Sequence, residues 1–131
     1  MPRGGPPTTA SSSPSAATRP LSRIYKILTR QEWEAALRVR RFEGSAVDRA
    51  DGFIHFSTAA QAGETARKHF AGQADLVVLE VEADDLGAAL RWEPSRGGDL
   101  FPHLYGHLDT YRVRGVSEAP LGADGAPQIA L

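Results

Sequence analysis

The sequence predicts a single α+β domain with a mixed, split β-sheet and two main helices. Segments rich in β-branched and aromatic residues, which favour strands, alternate with segments that begin at helix-capping residues. The chain has 131 residues, which is enough for one hydrophobic core. The last predicted strands lie too close together in the sequence for the helical crossovers of a doubly wound parallel sheet. Together these observations favour the α+β class.

Composition divides the chain into three parts. Residues 1–22 are rich in Pro, Ser, Thr, Ala and Gly, and so little apolar surface cannot offset the entropy of ordering them. We therefore expect a flexible tail over residues 1–22 and one globular domain over residues 23–120. Residues 121–131, which contain Pro and Gly, are expected to fray.

Charge and composition exclude several classes of function. The formal net charge of −1 gives no bulk excess of cations for binding nucleic acid, although it is compatible with a small local basic patch. The chain has no cysteine, which excludes thiol catalysis, thiolate metal ligands and disulfides. No apolar run approaches the ~18 residues that cross a membrane. Because the N-terminal residues also lack the apolar core of a secretory signal, we expect a cytoplasmic protein without a membrane partner.

The first half of the domain predicts a strand, a helix and a long loop. Residues 24–28 have the alternating, β-branched pattern of a strand. Thr29 and Glu32 then form the sequence signature of a capping box, which predicts a helix over residues 31–38. Residues 39–51 are predicted to be a loop, and loops of this length in small domains are often functional.

The second half begins with a short strand over residues 53–56. Thr58 and Gln61 form a second capping-box signature, so we predict a helix over residues 59–70. The remaining predicted elements are a strand over 76–81, a helical turn over 84–90, short strands over 91–93 and 111–116, and a Gly-rich loop over 94–100.

His55 is the first candidate site residue. In a strand, Phe53, His55 and Ser57 would share one face, and the strand ends at Thr58, directly before a helix. Exposed N–H groups at a helix N-terminus favour an anion such as phosphate. The structural alternative is a half-buried histidine that is hydrogen-bonded to a backbone carbonyl.

A second candidate segment runs from Phe101 to His107. Pro102 restricts the backbone there, and apolar neighbours anchor a predicted loop that carries His103 and Tyr105. Histidine can act as acid or base near neutral pH, and tyrosine can stack on a base or sugar. The structural alternative is a packed loop in which these side chains serve as hydrogen-bonding groups.

Other chemical signals in the sequence are weaker. Arg91 and Glu93 would share a face of a short strand, either as a solvated ion pair or as groups that position an anionic ligand. His103 and His107 have the spacing of zinc ligands on a helix, but the neighbouring proline and glycine argue against a helix. We expect no metal. The chain also lacks a nucleophile elbow, a P-loop and a dinucleotide-binding glycine motif.

Four motifs together resemble a known family. In order, they are Ile24-Tyr25, Trp33-x-x-Ala36, the segment Asp51-Gly-Phe-Ile-His-Phe-Ser-Thr-x-x-Gln61, and Phe101-Pro-His-Leu-Tyr-Gly106. They closely resemble a bacterial domain-of-unknown-function family, number nine hundred and fifty-two, over residues 23–120. No established activity comes with this resemblance.

The architecture of that family is similar to the ADP-ribosyltransferase fold, which binds NAD in a cleft. By this resemblance, Lys26 stands where the transferases have a histidine that holds the adenosine ribose. The segment containing His55 resembles the second transferase motif. The third motif requires a glutamate, and residues 101–107 contain none. Similar enzymes that act on an RNA 2′-phosphate manage without it through Arg and His, although they carry a basic RNA-binding lobe that this chain lacks.

Two hypotheses follow. In the first, the chain is an enzyme that binds NAD or another nucleotide, and His55 and His103 are catalytic. In the second, the same cleft holds a small anion or metabolite without turnover. The predicted ligand-binding residues are Lys26, Ser57, Thr58, Arg91 and Tyr105.

Overall fold

The computed structural model describes residues 22–95 and 98–131. The predicted flexible tail therefore lies outside the described residues, except for Ser22. In chain order the elements are β1 (Arg23–Thr29), α1 (Arg30–Val39), β2 (Arg41–Phe42), α2 (Ala46–Asp51), β3 (Ile54–His55), β4 (Ser57–Thr58), α3 (Ala59–His69), β5 (Leu76–Glu82), a 3₁₀-helix (Ala83–Ala89), β6 (Leu90–Pro94), β7 (Leu100–Leu104), β8 (Leu108–Asp109), a second 3₁₀-helix (Thr110–Arg112) and β9 (Val113–Ala119).

The strands form three separate antiparallel sheets. The largest has the order β4-β1-β5-β9, the second has the order β3-β7-β6, and β2 pairs with β8. Every strand pair within the described residues is antiparallel. The chain is thus a single α+β domain with few helices, as the sequence predicts, but the prediction of a mixed sheet was wrong, since the described strands form antiparallel sheets. Within the described part of the chain, no helix is long and apolar enough to span a membrane.

Both predicted capping boxes are present. The Thr29 hydroxyl accepts a hydrogen bond from the backbone N–H of Glu32, and the Glu32 carboxylate accepts one from the N–H of Thr29. Thr58 and Gln61 make the same reciprocal pair at the start of α3. These local hydrogen bonds satisfy N–H groups that a helix leaves free at its first turn, which is why each helix begins directly after its predicted cap, α1 at Arg30 and α3 at Ala59.

The prediction of a loop over residues 39–51 was wrong in two places. Phe42 belongs to β2 and is buried, and residues 46–51 form the short helix α2. Asp48 provides the physical reason for the helix. Its carboxylate accepts a hydrogen bond from the backbone N–H of Ser45, at 2.8 Å, which stabilises the first turn.

The segment from Phe101 to His107 was also predicted to be a loop, but most of it forms β7. This strand is central in its sheet although it contains Pro102, which has no backbone N–H. The Pro102 carbonyl accepts a hydrogen bond from Phe56, 3.0 Å away, at the point where β3 ends. The N and C=O of a strand residue face the same neighbouring strand. The N–H that Pro102 lacks would therefore face the end of β3, where the pairing of the two strands stops. Sheets tolerate proline at such a position.

Phe56 also marks a change of sheet. The sequence analysis placed residues 53–56 in one strand, but pairing breaks at Phe56, between β3 and β4. The chain passes there from the three-stranded to the four-stranded sheet. His55 and Ser57 therefore lie in different sheets. They do not share a face as predicted, because the alternation of faces holds only within a continuous strand.

The four-stranded sheet is covered on both faces. One face contributes Ile24, Leu28 and Leu79 to the larger core, which also includes Trp33 of α1. The other face contributes residues such as Ile27 to a second core cluster. Burial on both faces explains why β1 and β5 are nearly continuous apolar runs. It also makes Lys26, in the middle of β1 and 4% exposed, an exception that requires a partner.

Candidate functional site

His55 and His103, the two predicted catalytic residues, lie side by side. They are register partners across the antiparallel pair β3–β7, and their ring centroids are 5.5 Å apart. Register partners point to the same face of a sheet. The side chain of His55 is 32% exposed and that of His103 is 6% exposed. Backbone pairing thus holds the two imidazoles next to each other.

Carboxylates contact both ring nitrogens of His55. Nδ1 lies 2.6 Å from Oδ1 of Asp48, and Nε2 lies 2.9 Å from Oδ2 of Asp51. Both aspartates belong to α2, which ends at Asp51. Gly52 follows with a φ of 89°, a left-handed conformation that suits glycine. This turn reverses the chain so that β3 returns past the helix and brings His55 to Asp48.

Asp48 is the buried anchor of this arrangement. Its side chain is 1% exposed, and its Oδ2 lies 2.8 Å from Nζ of Lys26. Its Oδ1 also accepts a hydrogen bond from the backbone N–H of His55. Burial by itself would raise the pKa of Asp48, but the hydrogen bond from His55 and the charge of Lys26 outweigh it and hold that pKa well below its ordinary value. Asp48 is therefore an ionised acceptor beneath His55.

Glu93 has the corresponding role for His103. Its Oε1 lies 2.8 Å from Nδ1 of His103 and also accepts a hydrogen bond from the Tyr105 hydroxyl at 2.8 Å. The hydrogen bond with His103 lowers the pKa of Glu93. The same carboxylate raises the pKa of Tyr105, because it accepts a hydrogen bond from the phenol O–H. An ionised Glu93 therefore orients two predicted site residues.

Aromatic rings surround the two imidazoles. Phe53 stacks on His103, with 4.1 Å between ring centroids, and is tilted against His55 at 4.6 Å. Its ring also lies 5.2 Å from the ring of Tyr105. We call Phe53, His55, His103 and Tyr105 the ring cluster. The guanidinium of Arg91 lies over the Tyr105 ring at 4.8 Å, so a positive charge borders the cluster.

Comparisons with known proteins show which family the chain belongs to. The family described as "Protein of unknown function (DUF952)" matches residues 27–116. The chain belongs to this family. The chain is also similar to the X-ray crystal structure of protein CC0527 from Caulobacter crescentus, with 59% sequence identity and a TM-score of 0.80. That match covers 82% of this chain and 94% of CC0527.

The solution NMR structure of CC0527 is similar as well, with 59% identity and a TM-score of 0.74 over 81% of this chain and 91% of that one. No curated protein matches the chain. The comparisons therefore show the family and the fold of this DUF952 protein.

Three predicted ligand-binding residues do not contact the ring cluster. The Ser57 hydroxyl is buried and lies 3.0 Å from the Thr65 hydroxyl. Thr58 caps α3 and lines a separate surface groove with Gln61 and Lys68. Lys26 lies behind His55 and reaches it only through Asp48. Arg91 and Tyr105, by contrast, lie at the cluster.

Sequence reasoning missed the residues that orient the histidines. The predicted loop over residues 39–51 contains Asp48 without a role for it, and the predicted strand over 53–56 gives Phe53 no role in the site. Glu93 was considered only together with Arg91. The capping pattern Ser45-x-x-Asp48 was a local signal for α2, but only folding shows that the same carboxylate also reaches His55. In the part of the chain that the structure describes, no three His, Asp or Glu side chains are grouped to hold a metal ion.

Proposed function

We propose that this DUF952 protein binds a nucleotide at the ring cluster, and that His55 and His103 transfer protons there. One observation carries the proposal: each imidazole has a carboxylate on Nδ1, Asp48 for His55 and Glu93 for His103. A carboxylate on Nδ1 fixes the ring orientation and directs Nε2 toward a reacting group, as in other acid–base sites.

The surroundings of the imidazoles fit a nucleotide better than a simple anion. Phe53 and Tyr105 offer ring faces on which a base can stack. Arg91 supplies a positive charge and planar donors for a phosphate. Lys26 acts through Asp48, since its ammonium is buried and points at that carboxylate.

We also propose that the fold is ADP-ribosyltransferase-like, which makes NAD the first nucleotide to test. Two antiparallel sheets, β4-β1-β5-β9 and β3-β7-β6, meet at Phe56, and this split supports the similarity. Residues 101–107 contain no glutamate, so proton transfer in this site would fall to the histidines.

The alternative is a module that binds a small anion or metabolite without turnover. Phe53 favours this alternative, because its ring contacts both imidazoles. The two functions differ in one outcome, since only the enzyme converts the bound ligand.

Calorimetry and thermal denaturation test the proposal on the full chain. The ligands are NAD, ADP-ribose, AMP and inorganic phosphate, and the proteins are wild type, His55→Ala and His107→Ala. His107 is a control because it is a histidine near His103 in the segment Phe101–His107 but pairs with Asp109 outside the ring cluster. We expect a nucleotide to bind wild type and His107→Ala and to lose at least tenfold in affinity for His55→Ala. If no nucleotide stabilises wild type, the proposal is wrong. Binding without conversion would support the module.

A further inference from the structure

We propose that the protein has a second binding site, for a small organic acid with an apolar body, in a groove between α1 and the segment that follows it. The site is separate from the ring cluster and does not depend on the proposed nucleotide-binding function. Two observations carry the proposal: the centre of the groove is apolar, and an arginine with free hydrogen-bond donors lines it.

The groove runs along one face of α1. Its lining residues from this helix are Glu32, Ala35, Ala36 and Val39. Their spacing of three, four and seven residues places them on one side of an α-helix. Residues 41–46 and Arg49 line the opposite side. We call this the α1 groove. Its volume is about 570 Å³, which is in the usual range for a small-molecule site.

The centre of the α1 groove is apolar. Ala36 and Phe42 are each only 4% exposed and form its base. Ala35, whose side chain is a single methyl group, and Val39 lie exposed beside them, and Val39 is 67% exposed. A ligand with an apolar body would remove this surface from water, which is the main favourable contribution to binding in such a groove.

Arg49 supplies the donors for a ligand. Its Nε donates a hydrogen bond to the Gly44 carbonyl, 3.2 Å away. Its two terminal amino groups have no hydrogen-bond partner among residues 22–95 and 98–131. Gly44 has a φ of 108°, and a Cβ there would lie 2.8 Å from the Cβ of Asp48, so a side chain does not fit at this position. The closely packed turn thus restrains the guanidinium and leaves most of its donors free.

The other charged groups of the α1 groove have partners within the protein. Nε of Arg41 lies 3.0 Å from Oε2 of Glu43, and Glu32 accepts the backbone N–H of Thr29 in the capping box of α1. A ligand carboxylate would satisfy the free donors of Arg49 with charge-assisted hydrogen bonds. A ligand cation would instead be repelled by the same guanidinium. This arrangement of charges favours an organic acid over an amine or a neutral ligand.

Three probes with the same alkyl chain test the ligand class: octanoate, octanol and octylamine. Each is titrated into the full ¹⁵N-labelled chain, and backbone ¹H–¹⁵N NMR spectra report the site. We expect octanoate to shift the amide signals of Ala35, Val39 and Gly44 and to bind about tenfold more tightly than octanol, as for one charge-assisted hydrogen bond. If octanol or octylamine binds as tightly as octanoate, or if no probe shifts these signals, the proposal is wrong.

Two variants test the location. Arg49→Gln removes the guanidinium, and Ala35→Glu adds a carboxylate and bulk on the helix side. Both positions are exposed, so we expect both variants to fold and to lose about tenfold in affinity for octanoate. Arg38→Gln is the matched control, because Arg38 is an exposed arginine of α1 that does not line the groove. Unchanged octanoate binding by Arg49→Gln would overturn the proposal.

His55→Ala separates this site from the ring cluster. We expect this variant to bind octanoate as tightly as wild type, because the α1 groove and the ring cluster share no residue. Loss of octanoate binding in His55→Ala, together with unchanged amide signals of Ala35 and Val39 in wild type, would place the acid at the ring cluster and overturn the second site.

Discussion

A buried lysine and a buried aspartate support His55 from beneath. Lys26 and Asp48 lie on β1 and α2, and Asp48 also contacts the backbone and the ring of His55 on β3. A buried ion pair is weak evidence for stability, because desolvation offsets much of its attraction. Here the pair joins three elements, and removing one partner leaves the other charge uncompensated. Its main role is to hold His55 in one orientation.

We expect Asp48→Asn to destabilise the fold by about 3–5 kcal/mol at pH 7, as for other broken buried pairs. Asp51→Asn is the matched control, since Asp51 contacts the same ring from the surface and should cost less than about 1 kcal/mol. Urea denaturation of both variants measures the free energy of unfolding. Equal losses of unfolding free energy in the two variants would show that the buried Asp48 stabilises the fold no more than the surface residue Asp51.

The same pair predicts a pH dependence. Because the folded protein holds the pKa of Asp48 below its ordinary value of 3.8, the ionised carboxylate stabilises the fold fully above about pH 4. That contribution is lost as the pH falls from there through the lower pKa of the folded state. We expect the stability of wild type to decline more steeply below pH 4 than that of Asp48→Asn. Parallel declines in acid denaturation curves would contradict this expectation.

At the scale of elements, local hydrogen bonds decided which predictions succeeded. Thr29 and Thr58 each cap a helix through hydrogen bonds to a residue three positions later. Both partners therefore lie within one short stretch of sequence, and the helix start can be predicted from it. β7 depends instead on pairing with β6 and with β3, and β3 is distant in sequence. Pro102 of β7 and the nearby Gly106 are typical loop residues, and no local pattern shows where a ladder ends.

Thr58→Ala tests the second of these caps. We expect it to destabilise the protein by about 1 kcal/mol, because the N–H of Gln61 loses its acceptor at the first turn of α3. Thr58→Ser keeps the hydroxyl and should cost less. Thermal denaturation of both variants checks the difference. If the two variants lose the same stability, the cap is not the cause.

At the scale of the whole molecule, the C-terminal segment completes the second core cluster. We predicted that residues 121–131 fray, but in the structure Leu121 bridges to Pro127 and the Gly125 carbonyl accepts a hydrogen bond from Gly72. Ile129 packs against the cluster that includes Ile27 and Ala66. The segment thus covers the face of the four-stranded sheet opposite the larger core.

Deleting residues 121–131 should therefore destabilise the fold by about 2 kcal/mol or more, roughly the value of exposing one large buried apolar side chain. The ring cluster belongs to the other sheet, so the NMR spectra of His55 and His103 should change little. Deletion of Leu131 alone, which is 56% exposed, is the control. Unchanged stability in the longer deletion would show that the segment does not contribute to the core.

The sequence by itself determined the α+β class, both capped helices, the buried strands and the segments that carry His55 and His103. These features depend on periodicity, capping and composition, which act over a few residues. Only the tertiary structure decided that the two histidines are register partners, that Asp48 and Glu93 orient them, and that Ser57 lies in another sheet. Those relations join residues seven or more positions apart, or cross a break in pairing, and no local pattern encodes them. Asp48 reaches His55 because of the turn after α2, and Glu93 reaches His103 because β6 pairs with β7.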